Sequence, residues 1–130
     1  MTNTGGHILV VDDEPALLKM VGAYLGRLGY EVTAAGSTEA GWAEIAGAPE
    51  RFAVAVLDAT MSGMGVDALS LKMMEASPRL CVIVASGYPV DMTVLQAAAP
   101  GRVMFLPKPF SPEMLAGAVR RMLGSKEEAV

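Results

Sequence analysis

The sequence predicts an α/β domain built on a doubly wound, five-stranded parallel sheet. Five short β-rich runs alternate with longer segments of helical period, the pattern of repeated strand–helix units. The first, third and fourth runs are apolar almost throughout, as strands covered by helices on both faces must be. Every interval between runs is long enough for the crossover that parallel neighbours require. With 130 residues the chain suits one domain, expected over residues 6–124, with residues 1–5 and 125–130 as flexible termini.

The first strand is expected from His7 to Val11. Its helix follows from Pro15 to Leu28, where Leu17, Leu18, Val21, Tyr24, Leu25 and Leu28 recur at three- and four-residue steps. That stripe reads as core, and Gly29 stands where a left-handed residue closes a helix. The second strand, Glu31 to Ala35, leads to Ser37, an N-cap for a helix from Thr38 to Ala46 that carries the packed Trp42. The third strand spans Ala53 to Leu57, and its helix Val66 to Ala76. The fourth, Leu80 to Ala85, holds the single cysteine, Cys81, which therefore reads as a buried packing residue. The helix from Val90 to Ala98 is apolar on several sides, so a surplus beyond its core face is available to a partner. Val103 to Leu106 forms the fifth strand. Ser111 and Pro112 then supply a cap and a first-turn proline for a helix to Leu123, with Gly124 closing it and Arg120 and Arg121 facing its negative end.

Composition narrows the partners. The net charge is −4 and the ten basic residues are scattered, so no basic stripe exists for direct nucleic-acid binding. No apolar run approaches the ~20 residues of a membrane span, which argues against membrane insertion. The opening MTNTGG has no apolar signal core, so a cytoplasmic location is expected. Ten methionines suit adaptable packing.

Chemistry concentrates at strand ends. In open parallel sheets ligands collect beyond the carboxyl edge, where strand order reverses. The first strand ends in Asp12 and Asp13, the third in Asp58, the fourth in Ser86 and Gly87, and the fifth in Pro107 and Lys108. Crowded carboxylates raise one another's proton affinity unless a positive charge sits among them. Asp12 and Asp13 suit Mg²⁺, which takes hard oxygen ligands. Asp58 can bind such an ion and also attack phosphorus, with Lys108 and Ser86 supporting the new phosphoryl oxygens. Singly these residues have bland explanations: Asp13 caps the helix at Pro15, Ser86 belongs to a turn, and Lys108 is solvated. Jointly they form a phosphoryl-transfer set on one edge.

VVDDE, VLDATM, VASGY and FLPKPF stand in an order and spacing that resembles the receiver (REC) domain of two-component response regulators, across nearly the whole chain. The resemblance implies strand order 2-1-3-4-5 in a flavodoxin-like (βα)5 fold. It implies that Asp58 accepts a phosphoryl group from a phosphohistidine of a sensor histidine kinase. Mg²⁺, for which Mn²⁺ can substitute, would be held by Asp13, Asp58 and the Thr60 carbonyl, with Asp12 acting through water. Ser86 and Lys108 would hold the phosphate. Phe105 occupies the rotamer-switch position but lacks the more usual hydroxyl. Thr60 and Tyr88 would govern water access, Tyr88 slowing hydrolysis. The fourth helix, fifth strand and fifth helix would form the switched surface, available to a homodimer.

The same resemblance implies a signalling domain that catalyses only its own phosphorylation and dephosphorylation. SGYP and LPKPF are similar to the receivers that end hybrid histidine kinases, in which Asp58 would relay phosphate to a histidine phosphotransfer protein. No output module follows the fifth helix, so a stand-alone or detached receiver is expected. The loop Met61 to Val66 departs from the family by lacking a proline and carrying two glycines, which predicts added freedom there. A haloacid-dehalogenase-like phosphatase would need D-x-D after the first strand, and a flavodoxin-like FMN carrier a Ser/Thr/Gly-rich loop; neither is present. A receiver that signals without phosphorylation usually lacks part of the acid set, which this chain retains.

Overall fold

The computed structural model describes residues 6–128, the last four by backbone alone. Ten elements alternate strictly: β1 (His7–Val11), α1 (Pro15–Arg27), β2 (Glu31–Ala35), α2 (Thr38–Gly47), β3 (Phe52–Asp58), α3 (Val66–Ala76), β4 (Cys81–Ser86), α4 (Thr93–Ala98), β5 (Val103–Pro107) and α5 (Pro112–Glu128). All neighbouring strands are parallel, in the order β2-β1-β3-β4-β5. The doubly wound class and the strand order expected from the sequence are both present.

Alternation along each strand divides the core into two layers. Leu9, Val11, Leu57, Val82 and Val84 face Ile45 of α2, Met73 of α3 and Leu95 of α4. Ile8, Val10, Val56 and Ile83 face Val21 and Leu25 of α1 and Leu115 and Val119 of α5. β1, β3 and β4 are buried along almost their whole lengths, which is why their sequences show no polar alternation. Each fully buried Leu, Ile or Val contributes about 1.5–3 kcal/mol by leaving water. Cys81 is buried between β4 and α5. Trp42 packs partly buried against the first layer, with the Lys72 ammonium 4.5 Å from its ring centroid.

Capping chemistry explains most element starts. Ser37 Oγ accepts the Ala40 N–H at 3.0 Å, and Ser111 Oγ accepts that of Met114 at 3.1 Å. Gly29 adopts φ +101° directly after α1. Three expectations require correction. α4 begins at Thr93, not Val90, because Asp91 Oδ1 accepts the Thr93 N–H at 2.9 Å and holds the preceding backbone in a turn. α5 passes through Gly124 to Glu128, so that glycine closes nothing and residues 125–128 are helical. Lys and Glu past Gly124 favour the helix enough to offset one glycine, and Arg120 and Arg121 consequently lie on its middle turns. The strands β3, β4 and β5 each extend one residue further than expected, taking in Asp58, Ser86 and Pro107, because sheet pairing continues to the carboxyl edge. Smaller shifts occur where α1 stops at Arg27, α2 includes Gly47, β3 starts at Phe52 and β4 at Cys81. The termini 1–5 and 129–130 lie outside the described residues.

At the amino edge of the sheet His7 is 13% exposed, with Nε2 2.7 Å from Thr33 Oγ1, Nδ1 3.3 Å from Glu31, and Phe52 edge-on to the ring. Burial, reinforced by the Arg51 charge and only partly opposed by Glu31 and Glu44, holds its pKa below the ordinary 6.5.

Two outcomes follow for stability. The unfolded chain protonates first as pH falls, so stability present above pH 6.5 is lost as pH drops through the folded-state pKa of His7. The loss in denaturation midpoint from about pH 7 to about pH 5 should be larger for wild type than for His7→Gln, and the imidazole proton resonance should titrate below 6.5; a higher midpoint contradicts the assignment. Gly41, on the core side of α2, has room for no side chain: a Cβ there would lie 2.7 Å from Val11 Cγ2. Gly41→Ala should therefore destabilise by about 1–3 kcal/mol, reversing the roughly 1 kcal/mol gain that a helix interior ordinarily gives; urea denaturation of the two chains distinguishes these signs.

Candidate functional site

Parallel pairing places the carboxyl ends of β1, β3, β4 and β5 side by side. Val11 pairs with Leu57, Asp58 with Ala85, and Ser86 with Pro107, so the residues ending each strand share one edge. Asp12 and Asp58 are buried there, while Asp13 is exposed. A carboxylate oxygen from each of the three lies within 4.8 Å of the others. Of the strand-end residues predicted from sequence, Asp12, Asp13, Asp58 and Lys108 meet in space.

Local turns set each side chain. Asp12 N–H bonds the Ala35 carbonyl at 3.1 Å, and its Oδ1 accepts the Glu14 N–H at 2.9 Å. This turn launches α1, whose N-cap position is Glu14 with no side-chain cap, so Asp13 does not cap the helix and remains available to the site. The other Asp12 oxygen, Oδ2, accepts from Lys108 Nζ at 3.0 Å. Lys108 Nζ also stands 3.5 Å from Asp58 Oδ2. Desolvation works against its charge, but hydrogen bonding and attraction from Asp12, followed by those from Asp58, outweigh it and hold the Lys108 pKa above 10.5. The ammonium therefore persists across the physiological range.

Asp58 Oδ1 is occupied differently. It accepts both the Thr60 N–H at 3.1 Å and the Thr60 hydroxyl at 2.9 Å. Ser86, buried at the end of β4, accepts the Tyr88 N–H on Oγ at 3.0 Å, while its carbonyl takes the Lys108 N–H at 2.8 Å. That second bond ties the end of β4 to the base of the lysine. The Lys108–Pro109 bond is cis.

Other predicted residues lie around this centre. Phe105 is half-buried on β5, packed in the layer shared with α4, apart from the carboxylates. Tyr88 is 72% exposed and walls a groove of about 600 Å³ with Leu17, Met20, Pro109 and Phe110, open beside Thr60 and Lys108. The sequence reasoning missed this apolar groove, although its walls are the immediate neighbours of VVDDE and FLPKPF. It also missed the Thr60 hydroxyl, for which the signal was a hydroxyl residue two places after a carboxylate. Gly63 in the loop after Asp58 has φ +100°, and a Cβ there would stand 2.5 Å from Thr38 Oγ1. That glycine meets a steric demand of α2 in addition to lacking a side chain.

Three carboxylates gathered on one edge form a hard, anionic oxygen donor set, which fits a divalent ion of the Mg²⁺ class. Phosphoryl chemistry suits the same place, because the Lys108 ammonium stands beside Oδ2 of the buried Asp58 while the turn donors from Thr60 engage Oδ1.

Comparison with known proteins points the same way. The family model for the response regulator receiver domain matches residues 8–120. The DNA-binding transcriptional regulator NtrC of Rhizobium meliloti is 32% identical over 120 residues, covering 92% of this chain and 24% of that protein. The chain thus spans about a quarter of the length of that relative. A solved CheY-like receiver domain protein from Methanospirillum hungatei superposes with a TM-score of 0.84 at 27% identity, covering 98% of this chain and 100% of the other. The receiver domain of the hybrid histidine kinase CckA gives 0.73 at 30% identity, covering 91% and 99%. No helix among the described residues is long and apolar enough to cross a membrane. With fold, acidic edge and family model in agreement over most of its length, the chain belongs to the response regulator receiver domains of two-component systems.

Proposed function

We propose that Asp58 is the phosphoacceptor of a two-component phosphorelay, taking its phosphoryl group from a phosphohistidine of a sensor histidine kinase. The observation that carries this is the Lys108 ammonium poised between Asp12 Oδ2 and Asp58 Oδ2 in a cluster of three carboxylates. In the transfer an Asp58 oxygen forms the O–P bond as the P–N bond to the donor imidazole breaks, and the departing ring nitrogen regains a proton from water. Asp58 Oδ2 is the oxygen that faces the ammonium, so charge arriving with the phosphoryl group meets a fixed opposite charge. Ser86 Oγ accepts the Tyr88 N–H, which leaves its own proton for a phosphoryl oxygen.

Asp13, Asp58 and the Thr60 carbonyl would hold Mg²⁺ or Mn²⁺, with Asp12 acting through water. Such an ion, when bound, neutralises phosphoryl oxygens during transfer. The receiver performs no turnover on other molecules beyond acquiring and losing this group. Tyr88, exposed at the mouth of the groove, shields the acyl phosphate from water, and Thr60 modulates the same access.

Phosphorylation adds nearly two negative charges beside Lys108 and Ser86, whose main chains are bonded to each other across β4 and β5. Phe105 on β5 and the exposed Val94 of α4 lie along the route outward, so the α4, β5 and α5 surface is the output face, available to a homodimer or another partner. Likeness to the receiver of a hybrid kinase favours onward relay through a histidine phosphotransfer protein. We place this activity in the cytoplasm.

Incubation with Mg²⁺ and acetyl phosphate or phosphoramidate should add one phosphoryl group to wild type and none to Asp58→Asn, as read by intact mass; equal modification of both chains would refute the assignment. Once phosphorylated, Tyr88→Ala should lose its label severalfold faster than wild type in a phosphate-lifetime measurement. Equal lifetimes would remove the shielding role of Tyr88 without touching that of Asp58.

A further inference from the structure

The two oxygens of Asp58 are distinguished by their partners. Oδ2 faces Lys108 at 3.5 Å, whereas Oδ1 receives two donors from one residue, the Thr60 N–H at 3.1 Å and the Thr60 hydroxyl at 2.9 Å. A carboxylate oxygen offers about two lone-pair sites, so this pair of donors saturates Oδ1. The N–H belongs to the turn and is fixed by the main chain. The hydroxyl is different, because it rotates freely about its C–O bond and can release Oδ1 without moving the backbone.

We propose that the Thr60 hydroxyl is a positioning residue and latch: it holds Asp58 with Oδ2 toward Lys108 and keeps Oδ1 closed to a hard cation until the hydroxyl turns away. The proposal rests on the phosphoacceptor reading of Asp58 and adds to it a specific role for one side chain. Two physical effects act in the same direction. A donated proton blocks a lone pair that a divalent ion would use, and it draws electron density from the oxygen, making it a weaker ligand. Breaking that hydrogen bond is thus a cost that cation binding must meet. Thr60 is exposed and its side chain is not part of either core layer, so replacing the hydroxyl by a methyl group leaves the fold intact. Serine preserves the donor and valine preserves the shape, which separates hydrogen bonding from packing.

The test is Mn²⁺ binding to the full chain, with free Mn²⁺ read by electron paramagnetic resonance and no phosphodonor present. Thr60→Val should bind Mn²⁺ roughly three- to ten-fold more tightly than wild type, the net worth of one typical hydrogen bond. Thr60→Ser should match wild type, and Thr60→Ala should follow Thr60→Val. Equal or weaker binding by both Thr60→Val and Thr60→Ala overturns the latch. Asp58→Asn separates this failure from failure of the underlying reading: if wild type binds Mn²⁺ and Asp58→Asn binds it less well, Asp58 keeps its place whatever the Thr60 variants do. Absence of any Mn²⁺ binding by wild type, or binding indifferent to Asp58→Asn, overturns both.

Discussion

The ammonium of Lys108 is the charge on which the carboxyl edge depends. Two carboxylates, Asp12 and Asp58, are buried within reach of each other and of exposed Asp13, and a cluster of like charges in a poorly solvated position is costly to keep ionised. One positive group 3.0 Å from Asp12 and 3.5 Å from Asp58 offsets much of that cost. The arrangement is more than a paired surface charge, since the lysine side chain is only 20% exposed and its pKa is raised in spite of desolvation. Turn hydrogen bonds satisfy the remaining oxygens, from Glu14 on Asp12 and from Thr60 on Asp58. Asp12 and Asp58 are thereby each supplied with donors, while Asp13 stays exposed.

The sheet delivers this lysine to its partners over a sequence distance of 96 residues from Asp12. β1 and β3 lie side by side because strand order reverses at β1, and β5 follows β4 on the far side of β3. Lys108 must therefore reach across the end of β4 to meet Asp58 and Asp12. Ser86 makes that reach reproducible, because its carbonyl fixes the Lys108 N–H while its hydroxyl oxygen fixes Tyr88. An apolar interior aligns these ends, with α1 and α5 on one face and α2, α3 and α4 on the other, and the buried charged residues among those described, Asp12 and Asp58, stand at its carboxyl edge. Chemistry is confined to the strand edges, including His7 at the opposite one.

Periodicity made the class legible: five β-rich runs, three of them apolar almost throughout, and five helical intervals in strict alternation can be read from residues alone, and the core-facing Leu and Val positions follow from spacing. Strand order could not be obtained that way, because the runs carry no label of their neighbours; it entered through the resemblance of the four motifs. The acids and Lys108 were legible for the same reason, each standing at the end of a recognisable run. Boundaries were less so. Asp91 competes for the backbone at the start of α4 through a side-chain bond that hydropathy does not register, and Gly124 carries the signal of a helix end but is overridden by the residues after it. The steric need for Gly63 arises from Thr38 on another element, a contact of long range that local sequence cannot express.

On the proposed function, the same economy that stabilises the resting edge also makes it responsive. Lys108 is shared between two carboxylates, and a phosphoryl group on Asp58 would compete with Asp12 for its ammonium with close to twice the charge of a carboxylate. Movement of the ammonium toward Asp58 strips Asp12 of its strongest partner. It also pulls on a residue whose N–H is bonded to the carbonyl of Ser86, so displacement at the charge is passed to the junction of β4 and β5. The segment after Ser86 has no helix or strand, running through exposed Tyr88 and the Asp91 turn before a helix of only six residues. A short helix held to the core chiefly by Leu95 and Ala99 offers fewer anchors than the longer α1 or α5, so strain that phosphorylation introduced at the acid cluster would be released preferentially on the α4 side of the molecule.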